Sequence, residues 1–164
     1  MIILNDGEEK QKIQRLAYQI AENNFEQDEI ILAGINNNGY GFARLLEKKL
    51  KKIIDTQISI RRVRLNPANP LASEVVFEPK LDDLASKAVI IVDDVANTGR
   101  TIFYACKPLM DLLPSKIEVA VLVDRKHKQF PINVDYVGLS LATTLKENIS
   151  VKILGVDEME VHLD

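Results

Sequence analysis

Residues 89–101 read Val-Ile-Ile-Val-Asp-Asp-Val-Ala-Asn-Thr-Gly-Arg-Thr, and this stretch predicts how the chain folds. The four consecutive apolar residues 89–92 are typical of a strand that is covered on both faces of a sheet. Two adjacent carboxylates follow at Asp93 and Asp94, and a helical pattern begins at Ile102 after a short polar loop. A buried strand that leads into a helix in this way indicates a parallel sheet whose strands are connected by helices.

The loop after the two acids has the composition of an anion-binding turn. It offers backbone N–H groups, two hydroxyls and a guanidinium, from Thr98, Gly99, Arg100 and Thr101. Successive N–H groups in such a turn form a concave site for a phosphate. The acids would repel a phosphate, but they can accept hydrogen bonds from sugar hydroxyls or lie near a metal ion. The expected ligand is therefore a phosphorylated sugar, and the simpler alternative is an ordinary helix N-cap with two capping acids.

Length, charge and composition exclude several classes of protein. A chain of 164 residues suits a single domain with a substantial core. Its formal net charge of −3 gives no overall attraction to nucleic acid or to an anionic membrane. No apolar run approaches the roughly 18 residues that span a bilayer, and residues 1–12 lack a basic-then-apolar signal pattern. With Cys106 as its single cysteine the chain forms no internal disulfide, so we expect a cytoplasmic protein.

The rest of the sequence alternates between strand and helix patterns. Helices are predicted at residues 8–24 (with Asp6 as N-cap), 40–52 and 101–113, and strands at 29–33, 56–65, 75–77, 88–92, 116–123, 134–138, 151–156 and 158–163. This alternation predicts an α/β fold with a mostly parallel twisted sheet and helices on both faces. Ligands of such sheets bind at the carboxyl ends of the strands, where several polar loops should meet.

Two of these loops could bind an anion. Residues 34–39, Gly-Ile-Asn-Asn-Asn-Gly, offer N–H groups and three amides to a pyrophosphate, although a tight turn would also favour Asn and Gly. In the basic run at residues 61–64, strand alternation places Arg62 and Arg64 on one face, from which an arginine could reach the anion. A solvated edge strand is the alternative. The Pro/Asn stretch at residues 66–70 then predicts a mobile lid.

A further polar loop, at residues 124–131, follows the predicted strand 116–123. Phe130 offers a flat surface on which a planar base could stack, with hydrogen bonds from backbone groups. His127 is either part of that site or an ordinary surface histidine. These loops together supply the parts needed to handle a phosphorylated sugar and a base.

The order of these motifs resembles that of a known family. Four apolar residues, Asp-Asp, a variable stretch and Thr-Gly-x-Thr resemble the phosphoribosyl-pyrophosphate motif of the type I phosphoribosyltransferases, and neither a Walker A loop nor a dinucleotide fingerprint is present. From residue 88 to about residue 144 the chain resembles the pyrimidine-operon regulator family, whose members also act as uracil phosphoribosyltransferases. The matching segments are residues 92–95, 98–101, 120–125, 127, 131–132 and 135–138, with a weaker match at 32–35 and at Gly39.

The resemblance implies a role for each matching position. Asp93 and Asp94 would contact the ribose hydroxyls. Arg64 falls where the family has an arginine at the start of its flexible loop. These three are the expected catalytic residues. The other implied contacts are Val95, Ala96, Asn97, Thr98, Gly99, Arg100 and Thr101 with the 5′-phosphate, Asn37, Asn38 and Gly39 with the pyrophosphate, and Asp124, Arg125 and His127 with the base. Mg²⁺ would be held mainly by the substrate, with Asp93 as a candidate ligand. Residues 1–164 would form one domain, with a small hood made of about residues 124–150 and the termini.

The implied activity is transfer of a 5-phosphoribosyl group from phosphoribosyl pyrophosphate to a nucleobase in nucleotide salvage. A uracil-type base is expected; a 6-oxopurine and a non-enzymatic sensor of phosphoribosyl pyrophosphate or a nucleotide are the alternatives. The chain has Asn37-Asn38-Gly39 where the family usually has Thr-Arg-Gly, and Asn133 where it usually has an arginine. In the family, the threonine of the pyrophosphate loop and the arginine at the position of Asn133 contact RNA. Because this chain has Asn37 and Asn133 at those positions, we expect no RNA partner. By analogy with the family we expect a homo-oligomer, such as a dimer.

Overall fold

The computed structural model describes residues 1–142 and 147–164. In chain order the elements are β1 (Ile2–Leu4), α1 (Asp6–Asn24), β2 (Glu29–Ile35), α2 (Asn36–Leu50), β3 (Gln57–Arg64), β4 (Val76–Glu78), β5 (Lys87–Ala96), α3 (Arg100–Ala105), a 3₁₀ helix (Lys107–Asp111), β6 (Lys116–Arg125), β7 (Tyr136–Leu141), β8 (Ile149–Lys152) and β9 (Glu160–Leu163).

The larger sheet has six strands in the order β4-β3-β2-β5-β6-β7. All neighbouring strands are parallel except β3 and β4, which are antiparallel. One buried apolar cluster lies between this sheet and the helices α1 and α2, and a second lies on the opposite face beneath α3 and the 3₁₀ helix. The predicted mostly parallel α/β sheet with helices on both faces is therefore confirmed.

The strands that lead to the polar loops are longer than their apolar patterns predicted. The predicted strands at residues 88–92 and 116–123 continue to Ala96 and Arg125, because parallel neighbours pair with their polar ends. The predicted loop at residues 34–39 is wrong: it comprises the end of β2 and the first turn of α2. The acids and the three asparagines therefore lie on regular elements.

Two helix predictions also need correction. Asn5, not Asp6, is the N-cap of α1: Glu8 donates its backbone N–H to Asn5 Oδ1 at 3.0 Å, and Asn5 donates its own to Glu8 Oε2 at 2.9 Å. The single helix predicted at residues 101–113 is instead α3 followed by the 3₁₀ helix. Pro108 lies in the 3₁₀ helix and has no N–H with which to continue an α-helix.

The smaller sheet has three antiparallel strands in the order β1-β9-β8 and joins the two ends of the chain. Its strand β1 was not predicted. The strands predicted at residues 134–138 and 151–156 are shifted to β7 and β8. Within the segment predicted as the hood, β7 belongs to the large sheet and β8 to the small one, and residues 143–146 of that segment lie outside the described residues.

Two glycines bring α2 into direct contact with the strands. A Cβ atom at Gly34 would lie 2.4 Å from Tyr40 Cα, and one at Gly39 would lie 2.6 Å from the carbonyl oxygen of Val92. Such distances are far shorter than van der Waals contact, so only glycine fits at either position without a shift of the backbone. The first turn of α2 is consequently packed against β5 immediately before Asp93.

We expect the Gly34→Ala substitution to destabilise the protein by roughly 1–3 kcal/mol, because the added methyl group would overlap backbone atoms. Urea unfolding monitored by circular dichroism would measure the change. Gly7→Ala is the matched control, since its Cβ would approach the nearest atom, Asn5 Oδ1, only to 3.5 Å. Equal free energies of unfolding for the two variants would contradict the proposed close contact.

Glu9 is a buried acid on the face of α1 that packs on the core. Both of its carboxylate oxygens are buried without a hydrogen-bond partner among the described residues. Burial, with a smaller contribution from the charges of Asp6 and Glu160, raises the pKa of Glu9 to about 7 from its ordinary value of 4.5. Since Glu160 belongs to β9, a charge on the small sheet contributes to the raised pKa of Glu9 on α1.

The raised pKa of Glu9 predicts a pH dependence of stability. Between about pH 4.5 and pH 7 the folded protein keeps a proton that the unfolded chain has lost, so stability falls as pH rises through this window. We expect Glu9→Gln to match the wild type near pH 4 and to be more stable by up to about 3 kcal/mol at pH 8. Urea titrations at several pH values would test this, and a constant difference across the range would contradict it.

Candidate active site

Two adjoining cavities lie at the carboxyl ends of the central strands. The larger, about 500 Å³, surrounds the turn between β5 and α3, and the smaller, about 430 Å³, borders the first turn of α2. Both are lined by Pro67, Asp93, Val95, Asn97 and Thr101. A single extended ligand can therefore occupy both cavities and pass beside the acids between them.

The turn between β5 and α3 forms one wall of the larger cavity. All seven residues predicted for the phosphate loop, 95–101, line this cavity. Gly99 has φ +87°, a left-handed conformation that favours glycine, and its backbone carbonyl accepts the N–H of Phe103 at 2.9 Å. The first N–H groups of a helix have no partner within that helix, so the turn presents donors suited to an anion.

The loop after β6 supports this turn from outside. Gln129 and Phe130 donate their backbone N–H groups to the carbonyl oxygen of Thr98 at 2.9 and 3.2 Å. Arg125 donates from Nη1 to Asn97 Oδ1 at 3.1 Å. A Cβ at Gly99 would come within 3.2 Å of Ile132, so this loop packs closely on the turn. These contacts fix the shape of the turn before any ligand binds.

The two predicted acids lie side by side and differ in environment. Asp93 is buried, and its Oδ1 accepts the backbone N–H of Asp94 at 2.9 Å. Asp94 is more exposed; its Oδ1 accepts the N–H of Val95 at 2.8 Å, and its Oδ2 accepts Asn38 Nδ2 at 3.0 Å. Burial, followed by the neighbouring charge of Asp94, raises the pKa of Asp93 well above its ordinary value. The pair thus resists carrying two full negative charges.

The first turn of α2 brings its three asparagines to different neighbours. Asn37 and Asn38 are exposed and line the smaller cavity together with Asp93 and Asp94. Asn36 has φ +52°, and its side chain binds both backbone groups of Leu65, donating to the carbonyl oxygen at 2.9 Å and accepting the N–H at 3.2 Å. Gly39 lines neither cavity but permits the close packing of this turn on β5.

The segment at residues 66–70, predicted as a lid, reaches the cavities through Pro67. Pro67 lines both of them, and its carbonyl oxygen accepts Arg100 Nη2 at 2.7 Å. Because Asn36 holds Leu65 at the start of this segment, the lid is attached to α2 at one point and to α3 at another. In this structure the lid is in contact with the site.

None of the arginines of β3 lines either of the two cavities. Arg64 Nε donates to Glu78 Oε2 at 2.6 Å in an exposed ion pair on β4. The guanidinium of Arg62 lies 4.2 Å from the centre of the Tyr40 ring, in a cation–π contact. The structure therefore does not bring Arg64 to the acids with which the sequence grouped it.

None of the three residues predicted to face a base lines either cavity. Asp124 forms an ion pair with Lys128 at 2.6 Å, Arg125 contacts Asn97, and His127 is exposed and lines neither cavity. Gln129 and Phe130 do line the larger cavity. Phe130 packs near Phe103 and Tyr104, with ring centroids 5.7 and 6.3 Å apart.

Sequence reasoning missed two contributors to the site. Ile149 of β8 lines the smaller cavity, although it lies more than fifty residues after the acids and on the other sheet. The hold of Asn36 on Leu65 was also missed, because it joins residues 29 positions apart. A local pattern gives no signal for either contact.

Among the described residues, no group of three or more His, Cys, Asp or Glu side chains could hold a metal ion. In the same part of the chain, none of the helices is both long and apolar enough to cross a membrane.

Comparison with known proteins agrees with this geometry. The family model for the phosphoribosyl transferase domain matches residues 2–156. The bifunctional protein PyrR of Streptococcus agalactiae is 36% identical over 157 residues, covering 94% of this chain and 91% of that protein. The bifunctional protein PyrR of Streptococcus uberis is 38% identical over 159 residues, with the same two coverages.

Solved structures with the same fold were also found. A hypoxanthine-guanine phosphoribosyltransferase from Bacillus anthracis superposes with a TM-score of 0.70 at 20% identity, covering 85% of this chain and 81% of its own. A hypoxanthine phosphoribosyltransferase from Staphylococcus aureus gives a TM-score of 0.70 at 20% identity, covering 86% and 77%. At this identity the two structures establish the fold alone. With the family model and the curated relatives, they lead to one conclusion: the chain belongs to the phosphoribosyl transferase family and is a phosphoribosyltransferase.

Proposed function

We propose that this enzyme transfers a 5-phosphoribosyl group from phosphoribosyl pyrophosphate to a uracil-type base and releases pyrophosphate, as a step of nucleotide salvage. The observation that carries the proposal is the pair of adjoining cavities, which share Asp93 and differ in their walls. One offers a turn suited to a monophosphate, the other a helix start suited to a diphosphate, and the acids between them suit the ribose.

In this arrangement the 5′-phosphate lies in the larger cavity. The N–H groups at the start of α3 and the hydroxyls of Thr98 and Thr101 donate to its oxygens. The ribose then lies next to Asp93 and Asp94, whose carboxylate oxygens accept hydrogen bonds from the 2′- and 3′-hydroxyls. Asn97, held by Arg125, forms the rim between the two ends of the substrate.

The pyrophosphate lies in the smaller cavity, against Asn37 and the N–H groups of the first turn of α2. The described residues that line this cavity include two carboxylates and no lysine or arginine. A bare pyrophosphate would be repelled by that negative charge, so a cation must accompany it. This requirement follows from the charges on the cavity wall.

The donor set of the site fits Mg²⁺, which prefers oxygen ligands. Asp93 and Asp94 offer carboxylate oxygens, and because the described residues supply no larger cluster, water and substrate oxygens would complete the coordination. Of these two carboxylates, Asp93 would hold the ion, and when bound it supplies positive charge that neutralises the pyrophosphate.

The reaction breaks the bond between the anomeric carbon and the pyrophosphate, and a nitrogen of the base forms the new bond. Positive charge develops on the ribose as that bond breaks, as in other glycosyl transfers. The carboxylate of Asp94, close to the sugar, stabilises this charge electrostatically. Residues 66–70 lie over the junction of the cavities and exclude water, which would otherwise compete with the base. No protein nucleophile is required.

Two alternatives concern the same site. A 6-oxopurine is the alternative base, but the solved hypoxanthine-type neighbours are too dissimilar in sequence to favour it. A non-enzymatic sensor is the alternative activity, and two observations favour it as second candidate: Arg64 is bound to Glu78, and no cationic side chain among the described residues lines the smaller cavity. We further infer a cytoplasmic protein from its single cysteine and a homodimer by analogy with the family. We infer that RNA is not a partner from the net acidity and from Asn37 and Asn133.

We expect Asp94→Asn combined with Thr98→Ala to lower kcat/KM for phosphoribosyl pyrophosphate by at least about a hundredfold, because the variant loses a charge at the ribose and a donor at the phosphate turn. Pyrophosphate release would be measured with Mg²⁺ present. Asp82→Asn combined with Thr56→Ala is the control, since neither residue lines a cavity. Near-normal turnover in the first variant would refute the assignment of the site.

A panel of bases would separate the candidate functions. The panel offers uracil, hypoxanthine, guanine and xanthine at equal concentrations. We expect pyrophosphate release with uracil at a kcat/KM at least about tenfold above that of any purine, which corresponds to a difference of roughly 1.4 kcal/mol in transition-state binding. Preference for a purine would favour the 6-oxopurine alternative. Saturable binding of phosphoribosyl pyrophosphate without turnover for any base would favour the sensor.

A further inference from the structure

The carboxylate of Asp94 is held at both of its oxygens. Oδ1 accepts the backbone N–H of Val95 at 2.8 Å, within β5, and Oδ2 accepts Asn38 Nδ2 at 3.0 Å, from the first turn of α2. A carboxylate only accepts hydrogen bonds, so the nitrogen of the Asn38 amide must face it.

We propose that Asn38 is a positioning residue that orients Asp94 toward the ribose, and that it is not a ligand of the pyrophosphate. This deepens the proposed function and rests on it, because it takes Asp94 to be a ribose contact. The sequence pattern assigned Asn38 to the pyrophosphate, since an arginine usually stands there in related proteins. An amide directed at Asp94 turns its carbonyl oxygen elsewhere, and that oxygen repels a phosphate.

The backbone that carries Asn38 is fixed, so the amide acts from a rigid base. The first turn of α2 contacts β5 at Gly39, where a Cβ would lie 2.6 Å from the carbonyl oxygen of Val92. Asn36 anchors the same turn to Leu65 through two hydrogen bonds. A side chain on such an element can orient a catalytic group with little loss of entropy on ligand binding.

Asn37 provides an internal contrast. It is exposed and lines the same smaller cavity, and among the described residues its amide has no hydrogen-bond partner. Its two N–H groups are therefore available to a pyrophosphate, whereas one N–H of Asn38 is already engaged. Adjacent asparagines on one turn thus serve different parts of the same substrate.

The two roles predict different losses for two partial ligands, ribose 5-phosphate and inorganic pyrophosphate, measured by calorimetry with Mg²⁺. We expect Asn38→Ala to weaken ribose 5-phosphate roughly tenfold, the usual effect of losing a hydrogen bond to a charged group, and to change pyrophosphate affinity less than about twofold. Asn37→Ala, the matched control, should show the reverse. Weakening of pyrophosphate alone by Asn38→Ala would overturn the proposal.

A double-mutant cycle tests whether Asn38 acts through Asp94. In an Asp94→Ala background, Asn38→Ala should no longer change ribose 5-phosphate affinity, because the group that it orients is absent. A full tenfold effect in that background would refute the positioning role. Urea unfolding of each variant would check that it is folded.

Failure of the proposed function can be told apart from failure of this inference. If the wild type did not bind ribose 5-phosphate, or if Asp94→Ala bound it as well as the wild type, the ribose site itself would be wrong and the inference would fall with it. If the wild type bound it, Asp94→Ala weakened it and Asn38→Ala did not, only the role of Asn38 would be wrong.

Discussion

The site depends on the absence of two side chains. Because Gly34 and Gly39 lack a Cβ, the first turn of α2 rests directly on the backbone of β2 and β5. That contact places the amide of Asn38 within hydrogen-bond distance of Asp94 and the amide of Asn36 beside Leu65. A larger residue at either glycine would move the whole turn, and with it Asn37 and Asn38, away from the acids.

The electrostatics of the site follow from the length of β5. Its ladder with β6 continues past the apolar core as far as Ala96, so the two acids are held on a strand and not on a loop. Asp93 is buried, which raises its pKa, and Asp94 is half-buried and held by donors at both oxygens. The strand therefore presents to the smaller cavity one carboxylate that is held at both oxygens, next to a buried acid whose pKa is raised.

The apolar patterns predicted the order and type of nearly all elements, because the buried parts of the parallel strands and the amphipathic α1 have clear periodicities. They failed where tertiary pairing decides the structure. Polar residues such as Asp124 lie in a strand because parallel neighbours satisfy their backbone, and β1 exists because β9 pairs with it. For the candidate site, the motif predicted the residues of the phosphate turn that line the larger cavity. It could not place Arg64, whose partner Glu78 lies on a strand of only three residues.

The lid, residues 66–70, connects the first turn of α2 with the start of α3 through hydrogen bonds. The residue before it, Leu65, is held by Asn36 of α2, and Pro67 within it is held by Arg100 of α3. A shift of either helix start would therefore be transmitted to the segment that lies above both cavities. If the proposed function holds, a 5′-phosphate bound at the turn before α3 would compete with Pro67 for the guanidinium of Arg100 or share it. In that assignment, binding of the 5′-phosphate would be coupled through Arg100 to Pro67, which lines both cavities.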